Sequence, residues 1–251
     1  MKRLFIFAIA LTLLLTNCED SGLDGFGFDS GVSEGGSIAR FHITNTHLYV
    51  IDQDELMAFD ITDFENVREV YSDYYGWEGS ELETIYRYDQ TLFVGTQTGV
   101  LIFDISSPDR PEYVSVYRHV TACDPVVTDG QVAYSTLRSG GICGGAEDIL
   151  DIIDVSNLSD PKQMKSINMT SPYGLVLFDD WLYVGEGENG MKVFDVSTPS
   201  EAVEILSYSD IKARDFIRDG QNLIINTEDG LVQATVGSDG SLSVISQLNY
   251  N

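Results

Sequence analysis

The chain has 251 residues, 40 of them acidic and 14 basic, for a formal net charge of −26. That length suits one large all-β domain or two small ones. The charge excludes the phosphate backbone of nucleic acid as a partner and favours cations and basic surfaces, although acidity on this scale is first of all a source of solubility.

In chain order, Lys2 and Arg3 come first, followed by an apolar run from Leu4 to Leu15. Such a run falls short of the about 20 residues that a membrane-spanning helix needs, and suits the core of a signal peptide. It ends in Leu15-Thr16-Asn17-Cys18, which resembles the lipobox of bacterial lipoproteins, with Asn17 in place of the usual small residue. The resemblance implies a signal peptide over 1–17, acylation of Cys18 and a protein held on a membrane by its acyl chains. Residues 18–37 are rich in glycine and acidic side chains and read as a flexible tether. Glu19 and Asp20 resemble the acidic export signals of surface-displayed lipoproteins. The location implied is that of an exported, outer-membrane lipoprotein on the periplasmic or cell-surface face.

From residue 38 to 251 the chain repeats itself. An apolar run ending in Asp, then Ile or Val, then Ser or Thr, recurs at MAFDIT (57–62), LIFDIS (101–106), DIIDVS (151–156) and KVFDVS (192–197). A decayed fifth copy, VQATVG (232–237), puts Thr235 where the others have Asp. A strand precedes each copy: LYV (48–50), LFV (92–94), VAY (132–134), LYV (182–184) and LII (223–225). In four units a further strand comes before that one across a tight turn, at Asp89-Gln90, Asp129-Gly130, Asp179-Asp180 and Asp219-Gly220. A last strand follows each copy, as in PEYVSVYR (111–118) and AVEILSY (202–208). Four short strands in roughly 40 residues make one propeller blade. The Val100–Phe103 run is apolar on both faces, as a strand between stacked sheets must be. The fold expected is therefore all-β, a five-bladed β-propeller of four-stranded antiparallel blades.

The pattern LYV-x-x-G…G, apolar run, Asp-[Ile/Val]-Ser-x-Pro resembles the LVIVD-repeat proteins over about residues 38–248. It is sharpest in LFVGTQTGVLIFDISSPDRP and LYVGEGENGMKVFDVSTPSEA. The resemblance implies exported or surface propellers and brings no established chemistry with it.

Asp60, Asp104, Asp154 and Asp195 invite a metal reading, but a residue repeated in every blade is arrayed around a ring rather than gathered. Asp followed two residues on by Ser or Thr is instead a local backbone cap. With Cys18 assigned to lipid, Cys123 and Cys143 remain. In an oxidising compartment they form a disulfide or stay as two buried thiols. Both fall in connections that a propeller places on one face, together with Tyr74, Tyr75, Trp77, His119, Asp124, Arg138 and Tyr173. Aromatics with a few charges on one rim make a candidate recognition face for a protein, peptide or glycan. The competing reading packs the same rings over the blade junctions. Glu81, Glu83, Asp124 and Asp215 fall near the starts of inner strands, and the enzyme alternative is a glycoside hydrolase using such carboxylates. No nucleophile, Walker or metalloprotease motif occurs. The sequence therefore points to a monomeric, membrane-tethered binding module with no catalytic residues, cofactor or metal.

Overall fold

The computed structural model describes residues 36–76, 81–118, 125–139 and 147–250. The expected signal peptide, Cys18, most of the tether, Trp77, His119, Cys123, Asp124 and Cys143 lie outside these residues, and with them the proposed disulfide.

Five four-stranded antiparallel sheets follow one another along the chain, each running in sequence order from first to last strand. Blade 1 holds β1 (Phe41–Ile43), β2 (His47–Asp52), β3 (Glu55–Asp60) and β4 (Arg68–Tyr74). Blade 2 holds β5 (Leu82–Tyr88), β6 (Thr91–Thr96), β7 (Gly99–Asp104) and β8 (Glu112–Arg118). Blade 3 is made of β9 (Val126–Thr128), β10 (Val132–Leu137), β11 (Ile149–Asp154) and β12 (Lys162–Asn168). Blade 4 comprises β13 (Leu175–Phe178), β14 (Trp181–Gly185), β15 (Met191–Asp195) and β16 (Val203–Tyr208). Blade 5 closes the series with β17 (Ala213–Asp219), β18 (Asn222–Thr227), β19 (Gly230–Val236) and β20 (Leu242–Asn249). The protein is a five-bladed β-propeller, as its repeat requires.

The repeat is visible in the register. Asp60, Asp104, Asp154 and Asp195 each pair with the first residue of the preceding strand, and Thr235 holds the same place opposite Asn222 in blade 5. Each Asp accepts the backbone N–H two residues on, from Thr62, Ser106, Ser156 and Ser197, at 2.6–3.0 Å. The hydroxyls of Thr62, Ser156 and Ser197 donate to the same oxygens. These bonds hold the carboxyls of Asp60, Asp154 and Asp195 below the usual range, side-chain donation first. The turns after the inner strands also match expectation. Asp89 and Asp179 take left-handed φ of 50° and 52°, a conformation that Asx residues tolerate, where blades 3 and 5 use Gly130 and Gly220.

Packing follows from an aromatic at one position of the second strand in blades 1 to 4. Tyr49, Phe93, Tyr134 and Tyr183 are almost fully buried and point into the junction with the next blade. Tyr49 and Tyr183 also donate their hydroxyls across that junction, to the carbonyls of Pro108 and Gly240. Four hydrophobic clusters result, at junctions 1–2, 2–3, 3–4 and 4–5.

Burial on both faces holds for blades 2 to 4 but not for the terminal blades. The face of blade 1 turned away from blade 2 leaves Phe41 58% and Ile43 55% exposed, and Ile217 on the far face of blade 5 is 40% exposed. No hydrophobic cluster among the described residues joins these faces. The two ends meet instead at the axis, where the chain entering blade 1 is held by blades 4 and 5. Ser37 Oγ donates to Asp215 on β17 at 3.0 Å and accepts the Leu175 N–H of β13 at 2.8 Å.

Candidate functional site

The expectation that certain connections share one end of the ring is met. The link between blades 1 and 2 lies on the β2–β3 turn, with Tyr75 N–H on the Asp54 carbonyl and Leu82 N–H on that of Gln53. The link between blades 3 and 4 lies beside the β14–β15 loop, with Thr170 N–H on the buried Glu186 carboxylate at 2.7 Å.

Inner strands feed side chains into this end through two bulges. The register of β5 against β6 skips Glu83, and that of β17 against β18 skips Arg214. A bulge leaves its extra residue unpaired and re-aims the side chain, a device common beside functional sites. Glu83 comes to lie among Gln97, Glu81, Arg40 and Arg138. Burial pushes its carboxyl up, and the Gln97 hydrogen bond and the two arginines oppose that shift in part. Arg214 binds the Glu228 carboxylate through Nε, and Arg40 donates to the Leu82 carbonyl at 3.3 Å.

Tyr173 is the centre of the group. Its backbone is pinned on both sides, N–H to Gly185 at 2.8 Å and carbonyl to the Thr136 hydroxyl at 2.6 Å. Gly187 makes room for the ring, because a Cβ there would stand 2.6 Å from it. Two guanidinium groups lie over that ring, Arg138 at 4.1 Å and Arg214 at 5.3 Å from the centroid. Each such contact is worth roughly 0.5–2 kcal/mol, and it fixes where a long side chain ends.

The structure sorts the expected face residues. Tyr173 and Arg138 are in contact, and Tyr74 stands 53% exposed at the same end. Tyr75 does not line the face. It is 5% exposed, bonded to the Tyr71 hydroxyl at 2.6 Å, with its ring edge-on to Phe103. Its apolar body is worth more as cover for the blade 1–2 junction than at the surface.

Asp215, one of the carboxylates that suggested hydrolysis, is enclosed. It is 9% exposed, and it accepts the Ser37 hydroxyl and the N–H groups of Phe216, Ser37 and Ile38. A Cβ on Gly174 would come within 2.3 Å of its oxygen. Burial nevertheless raises its carboxyl to about 6. It serves as a latch between the chain entry and blade 5. Among the described residues no group of three or more His, Cys, Asp or Glu gathers to hold a metal ion.

Arg40, Arg214 and Glu228 were not singled out in the sequence. Arg214 could have been, since it adjoins Asp215 at an inner-strand start. The bulge that turns it into the mouth leaves no mark in the hydrophobic pattern.

The LVIVD repeat family matches residues 146–169 and 174–210, so this chain carries LVIVD repeats. Among curated proteins none matches the sequence. Of solved structures, the periplasmic gluconolactonase PpgL of Pseudomonas aeruginosa is similar with a TM-score of 0.64 at 12% identity, over 81% of this chain and 67% of that one. A protein from Lactobacillus plantarum also scores 0.64, at 13% identity over 82% and 69% of the two chains. BamB from Moraxella catarrhalis scores 0.55 at 14% identity, over 84% and 63%. Likeness at such identities is a likeness of fold, and this chain spans about two thirds of each neighbour's length.

Proposed function

We propose that this LVIVD-repeat propeller is an exported binding or scaffold module, tethered to the cell envelope through Cys18, that recognises its ligand at the mouth built around Tyr173. The observation that carries the reading is the pair of inner-strand bulges, which turn Glu83 and Arg214 toward one end of the ring. Bulges between third and fourth strands recur in all five blades, whereas these two sit on first strands at the end where the arginines gather, a placement common beside functional sites. The envelope location rests on the lipobox-like segment.

Glycan hydrolysis by paired channel carboxylates has less support. Such a pair must be open to substrate on both members, and the Asp215 carboxylate is enclosed by the groups that hold it. The lactonase neighbour contributes the fold alone.

The test is a peptide and glycan array probed with the full chain and with Arg138→Gln and Tyr173→Leu variants. A ligand bound by the native chain and weakened about tenfold or more by both substitutions is expected, a loss typical of one charge-assisted contact. Ligands retained unchanged by both variants would remove the mouth from recognition.

A further inference from the structure

Arginines are scarce in this chain, yet three of them meet at one end of the propeller. Against 40 acidic residues there are 14 basic ones, and Arg40 before β1, Arg214 in β17 and Arg138 just after β10 lie around Tyr173 and Glu83. Each is fixed by a different device: Arg138 by the aromatic ring, Arg214 by the ring and Glu228, Arg40 by the Leu82 carbonyl. A guanidinium over an aromatic ring keeps its N–H groups for a planar acceptor, and the fork matches a carboxylate with two parallel bonds; Arg214 gives its Nε to Glu228 and offers its terminal nitrogens. Rotamer entropy already surrendered to the ring does not have to be surrendered again on binding.

We infer that the mouth takes the carboxylates of an acidic peptide segment, held by the Arg138 and Arg214 guanidinium groups that lie over the Tyr173 ring. This rests on the reading of the mouth as the recognition surface and gives its ligand class. Glu83 is the internal precedent, a carboxyl already placed within reach of the Arg40 and Arg138 charges.

The net charge of −26 does not oppose this at short range. At physiological salt the screening length is about 8 Å, so distant carboxylates contribute little at the mouth while the arginines act at contact. The same charge does count against a long polyanion such as nucleic acid, which would extend well beyond the mouth over acidic surface. A sugar ring is served less well than a peptide, because stacking needs an open aromatic face and the Tyr173 ring is taken by guanidinium groups.

The test uses the full chain in detergent and fluorescein-labelled, end-blocked hexaglutamate, followed by anisotropy at about 0.15 M salt. Hexaglutamine and a galacturonate oligomer serve as the neutral-peptide and acidic-glycan arms. Hexaglutamate should bind and hexaglutamine should not. Arg138→Gln and Arg214→Gln should each weaken hexaglutamate about tenfold, and Arg138→Lys should recover only part of the loss, since it restores charge without the planar fork. Arg68→Gln serves as the control, its partner being Asp60 at the opposite end of the ring, and it should leave binding unchanged. Hexaglutamate that fails to bind, or that binds alike to the native chain and the Arg138 variants, overturns the inference. Galacturonate bound in place of hexaglutamate overturns the peptide assignment. An array ligand lost in Arg138→Gln while hexaglutamate is inert would leave the mouth in place and remove the carboxylate class. Array ligands indifferent to both mouth variants would instead remove the mouth itself.

Discussion

His42 on β1 and Asp215 against the entry to that strand are both buried, and they titrate in opposite senses. Burial first, then the Arg87 charge, lowers His42 from 6.5 to about 4. Burial raises Asp215 from 3.8 to about 6 in spite of its donors. On acidification from pH 6.5 to 4 the unfolded chain protonates its histidine while the native one does not, so His42 costs stability there. Over pH 6 to 4 the native chain takes up the Asp215 proton before the unfolded one, so Asp215 returns stability. Either effect is at most about 3 kcal/mol, since each tenfold change in proton affinity is worth about 1.4 kcal/mol. Urea unfolding across this range should therefore show Asp215→Asn losing stability more steeply than the native protein as the pH falls. His42→Asn should lose it less steeply, or gain. Parallel profiles for all three would show that neither burial perturbs its group. The repeated aspartates, by contrast, were legible from sequence, because a cap needs only its own strand end and a hydroxyl two residues on. Asp215 was not, since its partner Ser37 is remote in the chain.

At the scale of the strand, the sequence pattern placed every second and third strand, including the decayed fifth copy in β19. It misjudged the outer faces of the first and last blades. Equal repeats suggested equal burial, yet among the described residues no hydrophobic cluster covers the outer face of blade 1 or of blade 5. The signal was present: the aromatic that enters the next junction in blades 1 to 4 is Ile224 in blade 5, which joins no hydrophobic cluster among the described residues. The difference has a measurable consequence. Leu101, fully buried at the blade 1–2 junction, should cost about 2–5 kcal/mol as Leu101→Ala. Phe41→Ser, on the uncovered face, should stay within roughly 0.5–1 kcal/mol. Denaturant midpoints of the two variants compare them directly. Equal losses would mean that the face of blade 1 is covered in solution.

For the whole molecule, the proposed recognition at the arginines and the acidic field would act at different distances. A net charge of this sign keeps copies apart and disfavours nucleic acid, while the proposed recognition would rest on groups acting at contact. The order of strands put Arg138 and Tyr173 on one face in advance, because propeller topology fixes which connections share an end. It could not show that the two touch, or that Arg214 joins them, since a cation–π contact between blades 3, 4 and 5 depends on how the sheets stack. The most direct measurement is hydrogen exchange of the full chain with and without its strongest array ligand. The account predicts added protection in segments 81–88, 136–139, 171–175 and 212–216. Protection falling instead on β4, on β20 or on the uncovered faces of blades 1 and 5, with those four segments unchanged, would contradict it.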